Sequence, residues 1–454
     1  MIGDMKRLAL ALVVAACGTP PQEMHPPPTP SETATTPQAT PMSDEARARA
    51  FIDQLAKHDF ASATTTFDEK MLAGLPKEKL EKVWSQVETQ AGPFKSVDAI
   101  DMKDAEGVHI ALAKVSFAKA PLVLRVVFDA QHRITGFFMT PGDSAASWTA
   151  PSYATPATFE EKPIAVGSNP ALPGVLTLPK DGKNLPAVVL VHGSGPNDQD
   201  ETIGALKVFK DLAWGLASRG IAVLRYDKRT RVDKTNVKTA KEEVEDGAHA
   251  AVALLAARPE IDPKRVALLG HSQGGNLAPR IAKADPAIKR LVIFAGSTRP
   301  VEDAVIAQTK YIMTLAPNNA GLADQLKAAE AFKAAVTSPS LKPEDKLTLF
   351  GSSEIPGTYF LDMRGYHAEA VAAQLTIPIL VMQGERDYQV TVADDFPAWK
   401  KSLSGKKNAT LKTYPGLSHA FTTAGDPPSP SDYTKPGHVD EKVVEDLANF
   451  LKAP

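Results

Sequence analysis

The segment GHSQG at 270–274 is the first part of the chain whose residue types and spacing could carry out chemistry. It follows an apolar run at 266–269, and a helical stretch begins near Asn276. A G-x-S-x-G segment between a buried strand and a helix is typical of a nucleophile elbow, where a sharp turn makes the serine hydroxyl project from a sheet. Glycines at both ends let the strand and the helix approach each other closely. We therefore expect Ser272 to be a nucleophile; the alternative is a glycine-rich packing turn.

Two further side chains are needed, because a serine hydroxyl is a weak nucleophile without a base, and the base needs an acid to orient it. In chains with this elbow the acid follows the serine and the histidine follows the acid. Asp387 comes shortly after one late apolar run and His419 after the next strand-like run. We expect Asp387 to be the acid and His419 the base. The competitors are Glu385 for the acid and His438, which fits a surface histidine, for the base; Asp395 fits a surface helix.

Acyl transfer also needs two backbone N–H groups that stabilise the oxyanion of the tetrahedral intermediate. One should come from Gln273, the residue after the serine, at the positive end of the new helix. The other should come from the HGSGP loop after the first long apolar run, whose glycines let the backbone turn its N–H groups inward. We expect this donor to be the N–H of Ser194, with Gly193 as the alternative. His192 and His271 flank the donors, and we expect them to pack and hydrogen-bond rather than transfer protons.

These candidates stand at the ends of elements that alternate between strand and helix. Continuous apolar runs of four or five residues predict strands that are buried on both faces. Helical stretches separate them, which predicts an α/β fold with a mostly parallel sheet flanked by helices. Residues of about 300–370 are Ala-rich and helical, so we expect an inserted cap over the site; the alternative is extra outer helices. The five runs lie at 187–191, 221–224, 266–269, 291–294 and 379–382.

The net charge and the spacing of potential metal ligands disfavour two classes of function. A net charge of −2 gives no basic excess for a nucleic-acid partner. No spacing typical of metal ligands, such as H-E-x-x-H, occurs in the sequence. The stretch RYDKR at 225–229 could bind a substrate carboxylate; the alternative is a charged network beneath the site.

Residues 159–454 carry these motifs in an order that resembles bacterial α/β-hydrolases of the esterase and dienelactone-hydrolase-like group. The resemblance implies an α/β-hydrolase fold with a helical cap, cleavage of small-molecule carboxylic esters through an acyl-enzyme on Ser272, and no cofactor. Serine peptidases and aminopeptidases, thioesterases and acyltransferases share the triad and are alternatives; the intact Ser, Asp and His disfavour a non-catalytic scaffold. The matching motifs are HGSGP at 192–196, RYDKR at 225–229, GHSQGG at 270–275, GERD at 384–387 and the pair Ser418 and His419.

The beginning of the chain has the composition of an export signal. Basic residues precede an apolar run that is too short to span a bilayer, and small residues follow it. The ending VAAC at 14–17 resembles a bacterial lipobox. This resemblance implies a signal peptide at 1–17, lipid on Cys17, and an exported cell-envelope lipoprotein anchored in the membrane and facing the periplasm or the exterior. The Pro/Thr-rich segment 18–42 predicts an extended linker.

Residues 43–141 predict a small α+β domain between this linker and the hydrolase-like region. Apolar residues first repeat at helical spacing, as at Leu80, Trp84 and Val87, and later at a spacing of two. Helices followed by a curved antiparallel sheet resemble the cone-shaped domain of nuclear transport factor, which often precedes bacterial hydrolases. The Pro- and Ser-containing stretch 142–158 predicts a linker between the two domains.

Overall fold

A computed structural model describes the protein over residues 42–105, 108–141, 148–317, 319–349 and 354–453. The chain divides into two compact units, Met1–Ala145 and Ala146–Pro454. The expected signal peptide, the expected lipidation site Cys17 and nearly all of the Pro/Thr-rich linker lie outside the described residues. Within those described stretches, no helix is long and apolar enough to cross a membrane.

In the described residues of the first unit, four helices pack against a four-stranded antiparallel sheet. In chain order its elements are α1 (Asp44–Ala56), α2 (Phe60–Thr64), α3 (Glu69–Gly74), α4 (Lys77–Ala91), β1 (Phe94–Ala105), β2 (Val108–Phe117), β3 (Pro121–Phe128) and β4 (Ile134–Pro141). Helix α1 begins after Ser43, whose side chain accepts a hydrogen bond from the N–H of Ala46 over 3.2 Å. Phe51, Trp84 and Phe128 are buried in the core between helices and sheet. The predicted order of helices followed by an antiparallel sheet is confirmed.

The second unit is built on an eight-stranded sheet. Its strands, including those of two short hairpins, are β5 (Phe159–Val166), β6 (Leu172–Pro179), β7 (Leu185–Val191), β8 (Thr202–Ile203), β9 (Leu206–Lys207), β10 (Ala222–Tyr226), β11 (Ile261–His271), β12 (Arg290–Phe294), β13 (Lys346–Leu347), β14 (Ile355–Pro356), β15 (Ile379–Gly384) and β16 (Ala409–Tyr414). The order across the large sheet is β16-β15-β12-β11-β7-β10-β6-β5. Strand β6 runs antiparallel to both of its neighbours, and all other neighbouring strands are parallel.

Helices cover both faces of this sheet. In chain order the helices described in the second unit are α5 (Val208–Ala217), α6 (Arg229–Val232), α7 (Asp246–Ala256), α8 (Gln273–Ala284), α9 (Val301–Leu315), α10 (Ala320–Thr337), α11 (Gly357–Met363), α12 (Ala368–Ala372), α13 (Phe396–Ser402) and α14 (Glu441–Lys452). Val189 belongs to the same buried cluster as residues of α7, α8, α12 and α13, whereas the neighbouring Val188 belongs to the cluster that contains residues of α5 and α14. Because successive residues of a strand point to opposite faces, a strand covered on both sides is apolar throughout. The predicted α/β sheet is confirmed.

The segment between β12 and β15 contains helices α9 to α12 and the hairpin β13–β14. Phe332, Val336 and Phe360 form a small apolar cluster of their own in this segment. Tyr359 on α11 extends to the elbow, where its hydroxyl lies 2.7 Å from Nε2 of Gln273. The inserted segment therefore contacts the residue that follows Ser272, in the region where the sequence predicts a cap.

Candidate active site

Ser272 lies on the turn between β11 and α8, with φ +54° and ψ −113°. A positive φ is unfavourable for a residue that carries a side chain, and strain of this kind clusters at functional sites. Two backbone hydrogen bonds anchor the turn. The N–H of Ser272 donates to the carbonyl of Phe294, and the N–H of Asn276 donates to the carbonyl of Ser272, each over 2.9 Å. This anchored, strained turn has the geometry of a nucleophile elbow.

The glycines around the serine are required by close backbone contacts. A Cβ atom on Gly270 would lie 2.1 Å from the carbonyl oxygen of Gly274. A Cβ atom on Gly274 would in turn lie 2.4 Å from the carbonyl oxygen of Val191, at the end of β7. Real Cβ atoms do not approach backbone atoms this closely, so any side chain at either position would push α8 away from the sheet. The helix N-terminus is therefore held directly against the two strands that flank the site.

His419 and Asp387 are brought together by the loops that follow β16 and β15. Nδ1 of His419 lies 2.6 Å from Oδ2 of Asp387, and both side chains are buried. The carboxylate also accepts hydrogen bonds from Nε2 of Gln383 and from the backbone N–H groups of Gln389 and Val390, over 2.9, 2.8 and 3.0 Å. These donors fix the carboxylate in place. With Nδ1 donating to Asp387, Nε2 of His419 is the nitrogen that can accept a proton.

The competitors named from the sequence lie outside this pair. Glu385 is exposed, and its Oε1 accepts a hydrogen bond from the hydroxyl of Thr413 over 2.7 Å. His438 is partly buried and pairs with a different carboxylate, since its Nδ1 lies 3.0 Å from Oδ1 of Asp211. That hydrogen bond raises the pKa of His438. In the described part of the chain, neither Glu385 nor His438 forms a hydrogen bond or an ion pair with Asp387 or His419.

Asp395 corrects the expectation of a surface helix residue. Its side chain is fully buried at the start of α13. It accepts hydrogen bonds from the N–H of Thr298 over 2.9 Å and from Nε and Nη2 of Arg299 over 3.1 and 2.6 Å. Asp395 thereby ties α13 to the loop after β12. The expectation was wrong because these partners are distant in the chain and leave no local pattern around Asp395.

His271 and Glu201 form a second buried acid–imidazole pair beside Ser272. Nδ1 of His271 lies 3.0 Å from Oε2 of Glu201, and Nε2 lies 3.0 Å from the carbonyl oxygen of His419. Burial by itself would lower the pKa of His271, but the Glu201 carboxylate and the His419 carbonyl outweigh it and raise that pKa. Burial would likewise raise the pKa of Glu201, and His271 outweighs it and lowers that pKa. His192, in contrast, has a pKa lowered to about 4 by burial and is neutral at pH 7.

The loop after β7 lies against Ser272, since a Cβ atom on Gly193 would be 3.1 Å from Cβ of the serine. The N–H of Gly193 donates to Oε1 of Glu201 over 2.7 Å, which occupies it and excludes it as an oxyanion donor. Ser194 is exposed, and its N–H makes no backbone hydrogen bond within the described part of the chain. Gln273 opens α8, where the first N–H groups have no partner inside the helix. Ser194 and Gln273 are thus the N–H donors that the geometry leaves open.

The stretch at 225–229 forms a charged network. Arg225 is buried, and its Nε and Nη2 atoms contact the carboxylates of Asp200 and Glu161 at 3.0 and 2.7 Å. Lys228 is also buried, and its Nζ contacts the carbonyl of Gly193 at 2.8 Å. Because both cations already have anionic or carbonyl partners inside the protein, the network interpretation fits the structure better than binding of a substrate carboxylate.

Glu201, Glu243 and Tyr359 are residues of the site that the sequence did not reveal. Glu201 contacts His271, and the other two contact Gln273. Each belongs to a segment far along the chain from its partner, so no spacing or periodicity could indicate the contact. Only Glu201 had a local signal, because it is a carboxylate shortly after the HGSGP loop.

The fold and the site together define the class of protein. The protein is an α/β-hydrolase of the serine hydrolase type. Its defining features are a mostly parallel sheet covered on both faces, a serine elbow, and a buried Asp–His pair after two later strands. Over residues 182–426 the chain matches, and belongs to, the family described as serine aminopeptidase, S33. Residues 48–137 match a family described as a protein of unknown function (DUF3887). Among the described residues, no group of three or more His, Cys, Asp or Glu side chains could hold a metal ion.

Three proteins illustrate what this chain is similar to. It is 35% identical over 404 residues to Esterase EstD of Thermotoga maritima, an alignment that covers 88% of this chain and 93% of that protein. Among solved structures, Est1E from Butyrivibrio proteoclasticus is 18% identical with a TM-score of 0.42, covering 64% of this chain and 97% of that one. The carboxylesterase EstE1 from a metagenomic library is 16% identical with a TM-score of 0.43, covering 68% of this chain and 93% of that one.

Proposed function

We propose that the protein hydrolyses small-molecule carboxylic esters through an acyl-enzyme on Ser272. The observation that carries the proposal is the buried pair of Asp387 and His419, which is joined through His271 to the strand end that bears Ser272. The similarity to a named esterase over 88% of the chain supports an ester as the substrate.

The proposed reaction has two acyl-transfer steps. Oγ of Ser272 attacks the acyl carbon while Nε2 of His419 takes the hydroxyl proton, and Asp387 stabilises the imidazolium. The N–H groups of Ser194 and Gln273 donate to the oxyanion of the tetrahedral intermediate. The intermediate collapses, and His419 returns the proton to the departing alcohol. Water then attacks the acyl-enzyme by the same route, which releases the carboxylic acid and restores the Ser272 hydroxyl.

Peptide hydrolysis is the second candidate, because the matched family is described as a serine aminopeptidase. An aminopeptidase needs an anionic group that binds the N-terminal ammonium of its substrate. Glu201, which is buried, and Glu243, which is largely buried, lie next to the elbow and already pair with His271 and Lys228. These pairs neutralise both carboxylates, which supports esters over N-terminal peptides. Thioesters and acyl transfer to an alcohol use the same acyl-enzyme and are separated by the choice of substrate.

The test compares p-nitrophenyl esters of two to ten acyl carbons with an aminoacyl p-nitroanilide, using the full chain, Ser272→Ala and Ser404→Ala. Ser404 lies in the turn after α13 and is the matched control. We expect ester hydrolysis by the full chain and by Ser404→Ala. Loss of the nucleophile should lower kcat about 10⁶-fold. Faster cleavage of the anilide than of every ester would move the function to peptidase, and equal rates for the full chain and Ser272→Ala would refute the mechanism.

We further propose that the chain is an exported lipoprotein held in the cell-envelope membrane by lipid on Cys17. The basic and apolar start and the VAAC ending of this segment support the proposal. Expression in a bacterium fed an alkyne fatty acid should label the full chain in the membrane fraction, whereas Cys17→Ser should carry no label. Label on Cys17→Ser, or a soluble unlabelled full chain, would refute the anchor.

A further inference from the structure

Lys228 is a buried cation whose three N–H donors all have partners near the elbow. It precedes α6, and only 2% of its side chain is exposed. Its Nζ lies 2.8 Å from the carbonyl oxygen of Gly193, 2.7 Å from Oε1 of Gln273 and 2.9 Å from Oε1 of Glu243. A lysine ammonium has three donors, so these contacts use all of them. The arrangement connects the loop after β7 with the first residue of α8.

The carbonyl of Gly193 and the N–H of Ser194 belong to one peptide group. In a trans peptide these two groups point in opposite directions, so a partner that fixes the carbonyl also fixes the direction of the N–H. Nδ2 of Asn197 donates to the same carbonyl over 3.1 Å. Hydrogen bonds to a carbonyl polarise its peptide and strengthen the N–H as a donor. Lys228 therefore acts on the N–H of Ser194 through the Gly193 carbonyl. It also holds the side chain of Gln273, whose backbone N–H is the second proposed oxyanion donor.

We propose that Lys228 is a positioning residue for the oxyanion hole, which sets the direction and spacing of the N–H groups of Ser194 and Gln273. This inference rests on the proposed function. Lys228 acts through the Gly193 peptide and the Gln273 side chain.

Glu243 and Tyr359 complete the arrangement. Oε2 of Glu243 accepts hydrogen bonds from Nε2 of Gln273 over 3.1 Å and from the hydroxyl of Tyr359 over 2.5 Å. Glu243 neutralises the ammonium, which removes the cost of a lone buried charge. Tyr359 stands on α11 of the inserted segment, so the segment is hydrogen-bonded to the same group that orients the oxyanion donors. We call Lys228, Glu243, Gln273 and Tyr359 the Lys228 network.

The test uses Lys228→Met, which keeps the aliphatic stem and removes the ammonium. The matched control is Lys412→Met, which removes a lysine of the same unit that pairs with Asp446 on α14. For both variants and the full chain we would measure kcat and KM on a p-nitrophenyl ester and its pH profile. We would also measure inhibition by a short alkyl trifluoromethyl ketone, which forms a hemiketal oxyanion on the serine, and by its carbinol, which forms none.

We expect Lys228→Met to lower kcat about 10- to 100-fold, somewhat less than the loss of an oxyanion donor itself. The ketone should bind more weakly by a similar factor. KM, carbinol binding and the pKa values of the pH profile should stay those of the full chain, because the base and the acyl pocket are unchanged. Lys412→Met should behave like the full chain. Native kcat in Lys228→Met, or equal losses for ketone and carbinol, would overturn the proposal.

If Lys228→Met does not fold, the proposal is tested with Gln273→Met instead. This variant keeps the backbone N–H of residue 273 and removes the side-chain amide, whose oxygen Lys228 holds and whose nitrogen donates to Glu243 and Tyr359. A lower kcat together with weaker ketone binding supports the proposal, and native values for both overturn it. If the full chain itself does not hydrolyse the ester, the proposed function fails, because activity is then absent before any change at Lys228.

Discussion

Nε2 of His271, the residue before the serine of the elbow, lies 3.0 Å from the carbonyl oxygen of His419. A carbonyl only accepts, so Nε2 must carry a proton. Nδ1 of His271 faces the Glu201 carboxylate at 3.0 Å, which favours a proton there too. Oε1 of Glu201 accepts the N–H of Gly193. A buried imidazolium–carboxylate pair thus joins the oxyanion loop, the elbow and the loop of the proposed base.

Glu201→Gln should destabilise the protein in a pH-dependent way. The lowered pKa of Glu201 gives stability that is present above about pH 4.3, the ordinary glutamate value. The raised pKa of His271 gives stability that is complete below about pH 6.5 and is lost as the pH rises through the raised value. The variant should therefore lose about 3 kcal/mol of unfolding free energy in the window between these values, and less at alkaline pH.

Urea unfolding from pH 5 to pH 9 measures this difference. The control is Asp285→Asn, which removes the carboxylate of the more exposed pair with His249. That pair should contribute at most about 1 kcal/mol. A loss in Glu201→Gln that stays constant across the whole range would mean that His271 is uncharged in the folded protein.

Asp387→Asn should lower kcat about 10⁴-fold with little change in KM. An amide at this position can donate to Nδ1 of His419, which would put the imidazole proton on Nε2, where it cannot accept from Ser272. Steady-state kinetics on a p-nitrophenyl ester measures the effect. Glu385→Gln is the matched control, because Glu385 is exposed and two residues away in the chain. Should Glu385→Gln lose the activity while Asp387→Asn keeps it, the assignment of the acid would be reversed.

The sequence predicted those parts of the protein whose pattern is local. Strand β7 reads as a continuous apolar run because its residues pack on both faces, and Ser272 and Asp387 each follow a strand end that can be found the same way. His419 follows β16, which is recognised by alternation instead. The position of Asp395 and the acceptor for the Gly193 N–H depend on contacts between distant segments. Such contacts leave no period in the sequence, so they appear only when the chain is folded.

Asp211→Ala should destabilise the second unit by about 3 kcal/mol, because three donors would lose a buried charged acceptor. The Asp211 carboxylate is buried and accepts from Nε1 of Trp148, Nδ1 of His438 and the N–H of Val439, over 2.8, 3.0 and 3.0 Å. Thermal and urea unfolding measure the loss. Asp324→Ala on α10 is the control, since its side chain is 85% exposed, and it should change stability by less than about 0.5 kcal/mol. Equal stability of the two variants would contradict the role given to Asp211.

Gly270→Ala separates a backbone clash from the general cost of adding a methyl group to a glycine. Its Cβ would meet the backbone of Gly274 and Gly275 at 2.1 to 2.7 Å, so the start of α8 must move. Gly405→Ala is the comparison, because nothing lies within 4 Å of its Cβ although its φ is +75°. We expect a loss of about 1 kcal/mol at Gly405, from the positive φ alone, and more than about 3 kcal/mol at Gly270.

Ester hydrolysis should differ between Gly270→Ala and Gly405→Ala in the same direction as stability. Moving α8 displaces the N–H of Gln273 and the hydroxyl of Ser272 together, so Gly270→Ala should lose ester hydrolysis even where enough folded protein remains to be assayed. Gly405→Ala should keep the kcat of the full chain, because the turn after α13 touches neither residue. Unfolding midpoints and kcat per folded molecule measure the two effects separately. If Gly270→Ala were as stable and as active as Gly405→Ala, the contact between β11 and the start of α8 would not be what positions the serine.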